Sequence, residues 1–167
     1  WAEWLKYGRN ATLAAQVGVP PTGSYIGTNI LRLLAANMRE ATGLAPCRLA
    51  LYSAHYPLLL GVFAALQLGN SAVLRSESFP SYASALILEL HEVTMTADPA
   101  SETRRHAVRL LWREGSDAGM TVANKLTQIT LPGCQHHIVA LESDEPGAAG
   151  CDLERFCDLV SQDTSWC

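Results

Sequence analysis

Apolar residues recur at the three-to-four-residue spacing of an α-helix in three parts of the chain. The first part begins after Pro21 and runs to Gly43. Its apolar positions are Ile26, Ile30, Leu33, Leu34, Met38 and Ala41. The second begins near Pro57, a residue suited to the first turn of a helix, and ends by Gly69. The third lies within residues 151–160, and we expect its inward positions to be Leu153, Phe156 and Val160.

Other segments carry the patterns of β-strands. Residues 49–52 form a short apolar run that predicts a buried strand. A strand is also predicted over residues 83–92, and another over 106–113, where Val108, Leu110 and Trp112 alternate onto one face. Residues 126–131 predict a further strand that pairs with the last of these. Two polar, turn-rich segments, 96–103 and 142–150, are predicted to be surface loops.

Residues 56–74 contain no charged side chain, which raises the question of a membrane span. Gln67, Gly69, Asn70 and Ser71 interrupt the apolar run well before the ~20 residues that a span requires. The segment therefore predicts a buried helix, and no membrane span is expected in this chain.

Composition narrows the class of protein further. The chain has 167 residues, of which 49% are hydrophobic, so it is long enough to bury a core as one domain or part of one. Its formal charge of −4 is spread without long acidic or basic runs. Nucleic acid is therefore not an expected partner.

The cysteines and one glycosylation pattern favour a lumenal or extracellular location. The five cysteines are Cys47, Cys134, Cys151, Cys157 and Cys167. None lies in a CxxC pair of the kind that zinc sites and redox motifs use, so disulfides are the better interpretation. Asn10-Ala11-Thr12 is an N-glycosylation acceptor pattern at Asn10.

His55 occupies the boundary between the predicted strand 49–52 and the helix that starts near Pro57. Ligands of open α/β sheets bind at the carboxyl ends of strands, and a helix N-terminus favours an anion. A hydrogen-donating imidazole there suits a phosphate group. The alternative is that His55 caps a turn or packs in the core, and spacing alone does not decide between the two.

Four segments in order resemble the histidine acid phosphatases, a branch of the histidine phosphatase superfamily, and among them the prostatic and lysosomal type. Leu51-Tyr52-Ser53-Ala54-His55 resembles the family's Tyr-Ser-Ala-His-Asp segment, and residues 79–91 (FPSYASALILELH) resemble its Pro-Pro-Tyr-Ala-Ser-Cys strand. Leu131-Pro132-Gly133-Cys134 and then residues 151–156 (CDLERF) resemble its C-terminal tail. The resemblance runs from about Gly23 to Cys167.

The resemblance implies an α/β fold in which helices flank a sheet. Residues 1–167 would be a single partial domain, the C-terminal portion of the histidine phosphatase fold, incomplete without the N-terminal strands. Exposed strand edges and an apolar face would follow, and with them a homodimer or an upstream segment of the same fold as partner. The implied location is the secretory pathway or the lysosomal lumen.

The implied reaction is hydrolysis of phosphomonoesters through a phosphohistidine intermediate, without a metal or other cofactor. His55 and the neighbouring Ser53 would contact the phosphoryl group. Tyr56 stands at the position of the family's acid Asp, and a phenol with a reference pKa of about 10 is poorly matched to proton donation at acidic pH. The family's Arg-His-Gly-x-Arg motif, which supplies the nucleophile, has no counterpart before Trp1.

This chain alone is therefore expected to be inactive. The alternative is a secreted homologue without enzymatic activity, which binds an anionic ligand or a protein. Residues 105–109 (RHAVR) imitate the missing motif, but they lie downstream of His55 and inside an alternating strand pattern. We interpret them as a strand and not as a nucleophile loop.

Three further expectations concern single pairs. The resemblance implies a disulfide between Cys134 and Cys151, and it leaves the pairing of the other cysteines open. Glu89 and His91 would share one face of a strand as a salt-linked surface pair. His136 and His137 are adjacent in a predicted loop and are not expected to hold a metal.

Overall fold

The computed structural model describes residues 22–43, 48–68, 80, 82–98, 101–115, 126–141 and 147–161. In these residues the chain is a mixed α/β structure of three helices and an open antiparallel sheet of five strands. The elements in chain order are α1 (Thr22–Ala41), α2 (Tyr56–Ala65), β1 (Ala85–Asp98), β2 (Ser101–Arg113), β3 (Leu126–Ile129), β4 (Ile138–Ala140), β5 (Ala149–Asp152) and α3 (Leu153–Ser161).

A long hairpin of β1 and β2 forms the largest part of the sheet, with β1 outermost among the described strands. The two strands pair antiparallel without interruption from Ala85 opposite Arg113 to Thr96 opposite Glu102. Along its other side β2 pairs with β3 near its end and with β5 at Ala107 and Val108. β4 pairs with β5 and completes the sheet. β2 therefore touches three of the other four strands, which makes it the centre of the architecture.

The three helices pack on one face of this sheet. Val108, Leu110 and Trp112 point to that face from β2, as their alternation predicts, and all three are buried. The ring of Phe63 in α2 meets the Trp112 indole edge to face, with centroids 5.4 Å apart. The helices contribute Leu31, Ala35, Met38, Val62, Phe156, Cys157 and Val160 to the same core.

The opposite face has a smaller apolar cluster. Ala107 of β2 and Val93 of β1 pack there with Leu141 and Ala148, which flank β4 and β5. A Cβ on Gly150 would lie 3.0 Å from the Ala107 side chain, so β5 lies close against β2, the strand with which it pairs. The two faces thus differ, because the helices pack on one of them and only this smaller cluster lies on the other.

All three predicted helices are confirmed. α1 runs from Thr22 to Ala41, and within it Met38 is buried while Leu33 is 46% exposed, so the buried face is turned slightly from the predicted one. α2 begins one residue before Pro57. α3 buries its three predicted positions, Leu153, Phe156 and Val160. Gly69, the predicted end of α2, lies outside the described residues.

Three predictions about strands and loops are wrong in whole or in part. Residues 49–52 form no strand, because no described strand pairs with them. Residues 96–103 are not a loop, since β1 continues to Asp98 and β2 begins at Ser101. Cross-strand hydrogen bonds outweigh the polar character of that sequence. Of the predicted loop 142–150, the last two residues belong to β5. Residues 142–146 lie outside the described part.

The strand predicted over 106–113 is confirmed as part of a longer strand. Those predicted over 83–92 and 126–131 are confirmed except at one end, since β1 begins at Ala85 and β3 ends at Ile129. The pairing of β3 with β2 is confirmed as well. Among the described helices, none combines the length and the apolar character that crossing a membrane requires.

Candidate functional site

His55 immediately precedes the first turn of α2. Its backbone is extended, with φ −82° and ψ 153°, and its carbonyl oxygen accepts a hydrogen bond from the Leu58 N–H at 3.0 Å. Its side chain is exposed and does not cap the helix. The alternative in which His55 packs in the core is therefore wrong. His55 does stand at the cap of the first turn, as the other part of that alternative has it, but through its backbone carbonyl and not through its side chain. The imidazole is open to a ligand in solution.

The first turn of α2 carries little polar character of its own. Tyr56 is half-buried as the first helical residue, and Pro57 follows it without an N–H group. No acidic residue lies in this turn. A helix N-terminus carries partial positive charge, which attracts anions. Because this first turn contains no carboxylate, no side chain of the turn competes with a bound anion for that charge.

The segment that leads to His55 belongs to no helix or strand and is exposed from Arg48 onwards. Its Tyr52 hydroxyl accepts a hydrogen bond from the Asn37 side-chain amide of α1. Ser53 is exposed two residues before His55. Leu49 and Leu51 are 82% and 91% exposed. The expected strand end is therefore absent around His55, and the site consists of an exposed segment and a helix start.

A second polar cluster lies on the sheet face opposite the helices. The Arg109 guanidinium donates from Nε to the Gln128 side-chain oxygen at 3.0 Å, and its Nη1 lies 3.6 Å from a Glu89 carboxylate oxygen. The same Glu89 oxygen lies 3.2 Å from His91 Nε2. The side chain of Arg109 is 10% exposed and that of Glu89 is 37% exposed. The predicted pairing of Glu89 with His91 is confirmed, and Arg109 extends it across the hairpin.

The sequence contained a signal for this cluster. Arg109 alternates with the apolar residues Val108 and Leu110, so a strand assignment already directs it away from the helix-covered face. What the sequence does not give is the register that sets Glu89 directly opposite Arg109. Pairing across the hairpin decides the contact.

The segment 105–109 is a strand, as predicted, and its charged groups are engaged. Arg105 Nη2 lies 2.8 Å from a carboxylate oxygen of Asp152, whose other oxygen accepts the N–H groups of Glu154 and Arg155 at the start of α3. Asp152 thus caps α3 and binds β2 at the same time. His106 lies opposite Glu92, with 3.9 Å between Nε2 and the carboxylate.

The two adjacent histidines lie in the turn before β4. His136 and His137 are both exposed, and the backbone of His137 bonds to Cys134 and Asp152. Within the described ranges, no group of three or more histidine, cysteine or acidic side chains is placed to hold a metal ion.

Cys134 and Cys151 form a disulfide with an S–S distance of 2.05 Å and a Cα–Cα distance of 5.5 Å, which is the pair that the resemblance implies. Cys157 is a buried free thiol. Burial raises the pKa of this thiol, and the nearby Arg39 guanidinium acts against the shift. Asn10, Cys47 and Cys167 lie outside the described residues.

Comparison of the chain with protein-family models, with curated proteins and with solved structures yields no match. The functional interpretation therefore depends on the chain's own residues.

Proposed function

We propose that this chain is the C-terminal portion of an acid phosphatase-like protein of the histidine acid phosphatase type, in which His55 and Ser53 contact a phosphate group. The observation that carries the proposal is the exposed His55 imidazole at the start of α2. The partial positive charge of a helix N-terminus favours an anion beside it.

Hydrolysis needs more groups than this site contains. The family reaction uses a nucleophilic histidine, arginines that bind the phosphoryl oxygens, and an acid that protonates the leaving alcohol. Tyr56 takes the place of that acid, and loss of a general acid typically costs about 10²–10⁴ in rate. This chain by itself therefore binds the phosphate group without turning it over, and an upstream segment with the Arg-His-Gly motif would complete the enzyme.

A secreted protein without enzymatic activity is the second candidate, and Tyr56 is the observation that favours it. Tyr56 is half-buried at the start of α2, and a phenol, with a reference pKa of about 10, is poorly matched to the proton donation near pH 5 that a phosphatase needs. The two candidates differ upstream. A parent sequence with an Arg-His-Gly-x-Arg segment supports the phosphatase, whereas a parent sequence without it supports the binding protein. The disulfide and the Asn10 pattern support a secreted or lysosomal location for either one.

The test is a titration of the chain with inorganic phosphate at about pH 5, followed through the histidine ring signals in NMR spectra. We expect the His55 signals to move to saturation while the His136 signals stay in place, since both rings are exposed but only His55 precedes a helix start. His136→Ala is the matched control and should bind as the wild type does. Unchanged His55 signals, or unimpaired binding by His55→Ala, would refute the proposal.

Hydrolysis of an aryl phosphate by the same preparations tests the claim of inactivity. Wild type, His55→Ala and Tyr56→Asp should all be inactive. Activity that Tyr56→Asp raises and His55→Ala abolishes would mean that the chain contains its own nucleophile.

A further inference from the structure

The segment that carries the proposed phosphate contacts is tied to α1 by a tyrosine side chain. The Tyr52 hydroxyl accepts a hydrogen bond from the Asn37 side-chain amide. Ser53 follows Tyr52 directly, so the Cα atoms of these two residues lie about 3.8 Å apart. The bond from α1 therefore restrains the backbone that leads through Ser53 to His55.

The part of α1 that provides this bond is itself held in place. Met38, the residue after Asn37, is buried in the core beneath the helices. Arg39, the next residue along, lies 2.8 Å from a Glu154 carboxylate oxygen of α3. Buried side chains are closely packed, so this turn of α1 has little freedom to shift. Asn37 is therefore a firm point of attachment for Tyr52.

The start of α2 is held in place relative to α1 as well. A Cβ added to Gly27 of α1 would lie 2.1 Å from the Gly61 carbonyl oxygen of α2, so the two helix backbones are in close contact where they cross. The His55 carbonyl oxygen accepts a hydrogen bond from the first turn of α2. Ser53 therefore lies between two fixed points, since Tyr52 is bound to α1 and His55 begins α2.

We propose that Asn37 is a positioning residue of the phosphate site and that, through Tyr52, it holds Ser53 in place relative to His55. The inference rests on the proposed function and adds to it a residue of another helix that does not itself contact the phosphate. A group that is placed before binding loses less conformational entropy when the ligand arrives. Asn37 therefore raises the affinity for phosphate through Ser53, whereas the contact of His55 with phosphate does not require it.

Titration of the Asn37→Leu variant with inorganic phosphate is the first measurement. Leucine has the branched shape of asparagine but no N–H group to donate. We expect the affinity for phosphate to fall about three- to tenfold, because the strength of one hydrogen bond limits how far the binding-competent population can drop. Tyr52→Phe removes the same bond from its other side and should cause an equal loss. Ala36→Leu, at an exposed position of α1, is the matched control and should bind as the wild type does.

Ser53→Ala separates positioning from a general effect on the fold. In a chain that already contains Ser53→Ala, adding Asn37→Leu should cause no further loss of affinity, because the group that Asn37 positions is gone. In NMR spectra of Asn37→Leu, the phosphate-induced shift of the Ser53 amide signal should shrink, while the shift of the His55 ring signals at saturation stays the same. An equal loss of affinity with and without Ser53 would show that Asn37 does not act through it, and would overturn the inference.

The same titrations distinguish this inference from the proposed function. If phosphate does not shift the His55 signals of the wild-type chain, the proposed function is wrong and the inference falls with it. If the wild type binds phosphate and Asn37→Leu binds it equally well, the inference alone is wrong. Circular dichroism establishes that each variant is folded.

Discussion

Arg109 brings a full charge into a site that water barely reaches. Its side chain is 10% exposed and is bound by Gln128 and Glu89. A charged donor in such a position contributes most through the groups that it satisfies, because those groups have lost their water. The side-chain amide of Gln128 in turn donates a hydrogen bond to the Ala149 carbonyl oxygen of β5. Arg109 therefore links β1, β2, β3 and β5.

Replacing Arg109 by Leu should destabilise the fold by about 1–3 kcal/mol, since Gln128 loses its donor and Glu89 loses a cation. The half-exposed Glu89 carboxylate can regain water, which keeps the loss below that of a fully buried pair. Urea unfolding measures the change.

Arg104→Leu is the matched control for that experiment. Arg104 lies on the same strand and pairs with Glu92 at 3.3 Å, but its side chain is 65% exposed. Exposed pairs contribute about 0–1 kcal/mol, so this variant should remain close to the wild type. Equal losses in the two variants would mean that burial of Arg109 contributes nothing.

At the level of elements, the crossing of α1 and α2 depends on two glycines. A Cβ added to Gly27 would lie 2.1 Å from the Gly61 carbonyl oxygen, which is a backbone atom. Such an overlap cannot be relieved by rotating a side chain, so the helices would have to move apart. Thr28, the next residue of α1, is also buried.

Gly27→Ala should therefore destabilise the chain by about 1–3 kcal/mol through overpacking, although alanine favours a helix over glycine by roughly 1 kcal/mol. Thermal unfolding followed by circular dichroism measures the effect. Ala36→Gly, at an exposed position of α1, gives the size of the intrinsic helix preference alone. A Gly27→Ala variant that is more stable than the wild type would show that the helices can separate without cost.

At the level of the whole molecule, the Cys134–Cys151 disulfide joins the turn after β3 to β5. Its partners are 17 residues apart and both are buried. The loop that it closes contains β4, whose three residues pair only with β5 among the described strands. The bond therefore closes a loop around β4 and ties its start to β5.

Removing the bond in the double variant Cys134→Ala/Cys151→Ala should lower the free energy of unfolding by about 2–4 kcal/mol, mainly because the unfolded chain gains freedom. Denaturant unfolding with and without a reducing agent provides the measurement. Reductant should destabilise the wild type but leave the double variant as it was. If reductant has no effect on the wild type either, the disulfide does not contribute to stability.

Periodicity in the sequence determined most of the local structure. The helical spacing before Gly43 and Pro57 near the start of α2 each identified an element, and the alternation of Val108, Leu110 and Trp112 identified both a strand and its buried side. Such signals are local, because the period of apolar residues shows which side of an element avoids water. The sequence also singled out His55 and placed it at a helix start.

Only the tertiary structure decided how these elements meet. Residues 49–52 have the composition of a buried strand, yet Leu49 and Leu51 are exposed because a strand needs a neighbour that the sequence of the segment does not specify. The contact of Arg109 with Glu89 depends on the register of a long hairpin, and the close approach of Gly27 to Gly61 depends on where two helices cross. Both are contacts between residues far apart in the chain, so no local pattern encodes them.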